Sequence, residues 1–145
     1  MKTIKIYTDG SCDINKRGVQ NKGGWSAIIQ FEKLEKEFSG QEKNTTNNRM
    51  ELIACIKALE MLNYSIAKDC QIEVYSDSSY LVNSFEKRWI QGWFKKKKKI
   101  INSDLWEILY SFYLKYKIKF IHVKGHSGII LNERVDQLAN QQLYL

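Results

Sequence analysis

The chain of 145 residues contains no proline, and it has only three cysteines and two histidines. Cys12, Cys55 and Cys70 are odd in number and lack metal-ligand spacing, which argues against a disulfide framework and for free thiols in a reduced, cytoplasmic setting. No apolar run approaches the ~20 residues needed to span a bilayer, so no membrane partner is expected. The start, MKTIKIYTDG, is too short and too polar for a signal peptide. The absence of proline carries no functional reading. What remains is an ordinary globular composition, 43% hydrophobic, with a length that suits one domain over residues 1–145 built on one core.

Charge is the first positive signal. Lysine and arginine number 23 against 16 acids, a net of +7. Residues 86–99 hold seven of those cations (Lys87, Arg88 and Lys95 to Lys99) against the single Glu86, so nearly all the excess lies in one patch. A solubility surplus would be spread out; a local one points to a polyanionic partner. Two tryptophans, Trp89 and Trp93, precede the lysines in RWIQGWFKKKKKI, and flat aromatics can stack on bases or lie against sugars, which favours nucleic acid over a membrane surface. The alternative is a solvated lysine loop.

The alternation in TIKIYTD, with Ile4, Ile6 and Thr8 on one side, predicts a strand, and GGWSAIIQFEKLEKEFSG predicts two more with a tight connection. From about Asn48 to Leu62, Leu52, Cys55, Ile56, Leu59 and Leu62 follow helical spacing, with Asn47 or Asn48 as the N-cap. QIEVYSD is a further strand, and short helical segments follow from roughly Ser79 through Phe94. Leu105, Ile108, Leu109 and Phe112 mark another amphipathic helix, IKFIHV a last strand, and NERVDQLANQQL a last helix capped by Asn132. That order implies an α/β protein, a mixed five-stranded sheet with helices on its faces.

Two segments end alike. KIYTDGS and EVYSDSS each run through Tyr, a hydroxyl residue and then Asp, which places Asp9 and Asp77 at equivalent ends of two strands. If those strands are parallel neighbours, ~4.8 Å apart, the two carboxylates converge outside the sheet edge, where open α/β sheets bind ligands. Glu51 falls in the first turn of its helix beside the buried stripe, and Asp136 follows Val135 on the last helix. Taken singly, each acid also has an ordinary structural role, as a turn former or as a charge near a helix start.

Together, YTDGS, TTNNRMEL, YSDSSY and VKGHSGIILNERVDQLA closely resemble the type 1 ribonuclease H family, in order and across essentially the whole chain. The resemblance implies a ribonuclease H-like fold and an endoribonuclease that cuts the RNA strand of an RNA–DNA hybrid, leaving 5′-phosphate and 3′-hydroxyl ends. It also implies two divalent ions held by Asp9, Glu51, Asp77 and Asp136. Oxygen-only ligands select hard ions, so Mg²⁺ is expected, with Mn²⁺ as a substitute. The same resemblance assigns His126, between Gly125 and Gly128, to proton transfer or product release. Glu133 is a weaker candidate for positioning the loop or a metal, and His122 receives no role.

For the substrate, the resemblance assigns backbone and sugar contacts to Thr46, Asn47 and Asn48, with helix capping as the competing role. Asn15 resembles a ribose contact, and Asn21 is a competing alignment, because CDINKRGVQNKGGWS departs from the compact loop of many relatives. Trp89 and Trp93 would lie against deoxyribose while Lys95, Lys96 and Lys97 meet phosphates in a basic handle that is shorter than in better-known bacterial members. Asn102 resembles a phosphate-pocket asparagine, Trp106 reads as core, and Ser79 stands where some members carry glutamine. The expected partner is the hybrid alone, with the protein a monomer. Two rival readings remain at this level: a non-catalytic nucleic-acid-binding module on this fold, and a transposase- or integrase-like nuclease. The four mutually repelling acids argue against the first, and TTNNRMEL, the histidine loop and the small size against the second.

Overall fold

The computed structural model describes residues 1–13, 21–96, 100–124 and 129–145. Five strands form one sheet: β1 (Thr3–Cys12), β2 (Lys22–Phe31), β3 (Leu34–Lys43), β4 (Gln71–Ser76) and β5 (Lys117–His122), in the spatial order β3-β2-β1-β4-β5. β1 pairs antiparallel with β2 and parallel with β4, so the sheet changes character at its central strand. The β2–β3 connection is two residues long, and Glu32 at its apex takes a left-handed φ of 55°.

The helices are α1 (Asn47–Glu60), α2 (Tyr64–Ala67), α3 (Ser79–Glu86), α4 (Trp89–Lys95), α5 (Ser103–Lys115) and α6 (Ile130–Gln141), followed by a 3-10 turn at Gln142–Tyr144. The four-residue α2 and this final turn are additions to the order expected from sequence. Each is too short to carry a hydrophobic period, which is why pattern reading passes over them. Two caps also differ from expectation. Thr46, not Asn47 or Asn48, caps α1, its hydroxyl accepting the Arg49 N–H at 3.1 Å. Asn132 does not cap α6: the helix begins two residues earlier, at Ile130, and Asn132 is buried within it.

The large core lies on one face of the sheet, where Ile4 and Ile6 of β1 and Ile72 and Val74 of β4 meet Leu52, Cys55 and Leu59 of α1 and Leu109 of α5. Trp106 is fully buried there, as its sequence setting suggests. The opposite face is covered by α6, which seats Val135 on Tyr7 and Ile28. All three cysteines are free thiols. Among the described residues no helix is long and apolar enough to cross a membrane.

Candidate metal and nucleic-acid site

The site begins with strand register. β1 and β4 pair in parallel from Thr3↔Gln71 to Tyr7↔Tyr75, and the same offset carried two residues on sets Asp9 opposite Asp77. The two aspartates are less equivalent than their motifs imply. Asp77 lies just past the end of β4, whereas β1 continues to Cys12, so Asp9 sits inside a strand still paired with Ser26 of β2. Asp9 is therefore buried.

Glu51 arrives from α1, and Gly10 is what lets it arrive. A Cβ at Gly10 would fall 2.5 Å from Glu51 N and from the Met50 carbonyl carbon, so any other residue would push α1 off the strand. The Gly10 backbone also hydrogen-bonds the Glu51 carboxylate. Oxygens of Asp9, Glu51 and Asp77 lie within 4.8 Å of one another. Burial first, and then the charges of Glu51 and Asp77, push the Asp9 carboxyl far above its ordinary range. Burial and the Asp77 charge do the same to Glu51. Glu51 Oε2 has no hydrogen-bond partner, although a buried carboxylate oxygen normally finds one. A crowded, oxygen-only cluster with an orphaned acceptor suits a hard divalent cation.

Asp136 lines the same groove, an open concavity of about 490 Å³ bordered also by Cys12, Asn47, Asn48, Ser78, Ser79 and Tyr80. Its helix is set on the sheet by the buried Ser26 hydroxyl, which donates to the Val135 carbonyl, and by Gly24, where a Cβ would fall 2.1 Å from the Ala139 carbonyl oxygen. Asn140 Nδ2 donates to Asp136 Oδ1 at 3.3 Å, and its Oδ1 accepts from Ser11 Oγ at 2.8 Å.

Asn47 and Asn48 are exposed at the groove wall, and Thr46 is committed as an acceptor to its cap. Asn21 acts as a clamp: its Oδ1 accepts the Thr45 N–H at 2.9 Å and its Nδ2 donates to the Thr45 carbonyl at 2.8 Å. Its amide is thus occupied in holding the segment before α1. The expected ribose contact, Asn15, to which Asn21 is the alternative, lies outside the described residues, as do Lys97 and His126.

Asn102 sits at the start of α5 with a left-handed φ of 62°. Its Oδ1 accepts from Arg49 Nη1 and its Nδ2 donates to the Tyr80 hydroxyl, both at 3.1 Å. Arg49 also grips Asp104 with two parallel bonds of 3.1 and 2.9 Å. Trp106 Nε1 donates to the same Tyr80 hydroxyl, and Trp93 packs edge-on against Trp106 with centroids 5.4 Å apart. Trp93 is therefore half-buried in the core and offers only part of its ring, while Trp89 is 46% exposed and Lys95 and Lys96 are exposed.

Sequence reading passed over Ser11, Arg49, Tyr80 and Asn140, and it gave no role to His122, whose Nε2 lies 3.2 Å from the Asp77 carbonyl oxygen. With the proton on Nε2, that ring steadies the backbone of a site aspartate. The available signal for Arg49 and Ser11 was position inside the motifs, NNRMEL and TDGS. Tyr80 likewise closes the motif YSDSSY, whereas Asn140 and His122 had only chain neighbours to speak for them.

A mixed sheet with an acidic cluster just past the parallel pairing of its two central strands defines an α/β protein suited to hard cations at the sheet edge. The RNase H family model matches residues 1–144. A ribonuclease H from Acetivibrio thermocellus is 44% identical, with 99% of this chain and 96% of the relative covered. The structure of LC11-RNase H1 in complex with an RNA/DNA hybrid superposes with a TM-score of 0.72 at 26% identity, covering 97% of this chain and 96% of that one. LC9-RNase H1 has a TM-score of 0.84 at 24% identity, covering 99% and 72%. The chain belongs to the RNase H family, metal-dependent endonucleases that cleave the RNA strand of RNA–DNA hybrids.

Proposed function

We propose that residues 1–145 form one catalytic unit that hydrolyses the RNA strand of a hybrid, with Asp9, Glu51, Asp77 and Asp136 holding two divalent ions, Mg²⁺ by preference. The observation that carries this is the meeting of three carboxylates from three separate elements within 4.8 Å, with Glu51 Oε2 buried and unpartnered. Bound there, two divalent ions supply an activated water and charge stabilisation for the leaving 3′ oxygen. The chain's own work is placement. Asp9 and Asp77 are set by strand register, Glu51 by the close approach at Gly10, and Asp136 by the seating of α6.

His126 takes the role of proton transfer or product release near the scissile phosphate. Asn47 and Asn48 at the groove wall face the RNA sugars, where the 2′-hydroxyl is both donor and acceptor. Asn102 offers its remaining amide proton to a phosphate of the DNA strand. Trp89, with part of Trp93, lies against deoxyribose, and Lys95 to Lys97 meet phosphates. The protein acts as a monomer in the cytoplasm without a protein partner.

A labelled RNA–DNA hybrid incubated with and without Mg²⁺, beside single-stranded RNA and duplex DNA, tests the reading. Cleavage confined to the RNA strand of the hybrid and dependent on the cation is expected. Equal cleavage of single-stranded RNA, or cleavage indifferent to a chelator, would overturn it.

A further inference from the structure

We propose that Asn140 is a positioning residue that holds the Asp136 carboxylate in register with Asp9, and so sets the affinity of the site for its cations. This rests on the reading of Asp136 as a cation ligand. Asp136 belongs to α6 and Asp9 to β1, two elements with no chain connection near the site. Asn140 lies one helical turn beyond Asp136, where i and i+4 side chains share a face, and it donates Nδ2–H to Asp136 Oδ1 at 3.3 Å. On its other side it accepts the Ser11 hydroxyl proton at 2.8 Å. Ser11 is two residues beyond Asp9 on the same strand, so the two side chains leave on the same side.

The polarity of this bridge is determined by its ends. A carboxylate can only accept, so the amide nitrogen must face Asp136, leaving the amide oxygen for a hydroxyl that can donate. The reversed amide would set oxygen against oxygen. One Asp136 oxygen is thereby held by Asn140, and the same carboxylate is hydrogen-bonded with Asp9, the pairing that the bridge keeps in register. A metal ligand whose orientation is already set loses less freedom on binding, and removing such orienting partners typically changes metal affinity or activity by ~10–100-fold.

The test is calorimetric titration of the metal-free full-length protein with Mn²⁺ and with Mg²⁺, alongside the Mg²⁺ concentration that half-saturates hybrid cleavage. Asn140→Ala should weaken ion binding by roughly 10-fold or more and raise the half-saturating Mg²⁺ concentration in step, with turnover recovering largely at saturating Mg²⁺. Alanine favours the helix, so thermal stability without metal should be held. Ser11→Ala should show a smaller effect of the same kind, and the double variant should be no worse than Asn140→Ala, because the serine acts through the asparagine. Asp136→Asn is the control for the underlying reading. If Asp136→Asn weakens ion binding while Asn140→Ala titrates as wild type, the positioning role is wrong. If Asp136→Asn itself titrates as wild type, the assignment of Asp136 as a ligand falls and the proposal with it. Strictly additive losses from Ser11→Ala and Asn140→Ala would also overturn the bridge.

Discussion

The carboxylate corner and the basic handle are built on opposite terms. At the corner, Asp9 and Glu51 are buried, and their geometry comes from strand register, a glycine contact and the start of α1 at Asn47. That start puts Glu51 just past the first turn of the helix, not in it as the sequence suggested. At the handle, Lys95 and Lys96 are exposed at the end of the seven-residue α4, and their arrangement follows from sequence adjacency. A buried charge is costly without a partner, and solvent and salt weaken an exposed one. The corner is therefore where chemistry can be concentrated, and the handle where affinity can be tuned without disturbing it. Between them runs one continuous set of contacts, from Tyr80 at the groove through Asn102 and Trp106 to Trp93.

The sharpest way to break this contrast is at the corner. Asp9→Asn or Asp77→Asn should lower hybrid cleavage by about 10³-fold or more, because each removes a charged ligand from the ions that stabilise the transition state. Stability without metal should be unchanged or raised as repulsion is relieved. Single-turnover rates paired with thermal melts would show both effects, and near-wild-type turnover of purified Asp9→Asn would remove it from the site.

The handle should respond differently. Changing Lys95 and Lys96 to Ala should weaken hybrid binding and flatten its salt dependence by about 0.9 in log–log slope for each phosphate that a lysine no longer neutralises. Turnover at saturating hybrid should hold. Titration of hybrid at several salt concentrations checks this, and an unaltered slope would make the lysine run a solvated loop.

The tryptophans sharpen the boundary between the two regions. Trp89→Ala should weaken hybrid binding with little change in slope, as an aromatic releases no counterions. Trp93→Ala should in addition destabilise the fold by about 2–4 kcal/mol, because its ring packs against the buried Trp106. Equal denaturant midpoints for the two variants would contradict the packing contrast.

The smallest expected effect is in pH. Asp9 and Glu51 bind protons more tightly folded than unfolded, so their contribution to stability is present below the unfolded values and is lost as pH rises. In a chelator the melting temperature should fall between about pH 4.5 and about pH 8, the ordinary and raised values for Glu51. Divalent cations should shrink that slope by replacing the protons. A melting temperature that rises over this interval in chelator would reverse the sign of the argument for a strained acidic cluster.

The sequence by itself determined the five strands of a mixed sheet, the longer helices, the convergence of Asp9 and Asp77 at one edge of the sheet and the concentration of charge between Glu86 and Lys99. These rest on local periodicity and on side-chain chemistry at short spacing, which a linear reading can follow. Only the tertiary structure decided that Asp9 lies inside its strand, that Thr46 caps α1, that Asn132 is buried within α6, and that Asn21 clamps Thr45. It also decided the contacts of Arg49 with Asn102, 53 positions away, and of Ser11 with Asn140, 129 positions away. A hydrogen bond between distant residues leaves no period in the chain, because its geometry exists only once separate elements have packed and their backbones have approached to within one side chain of each other.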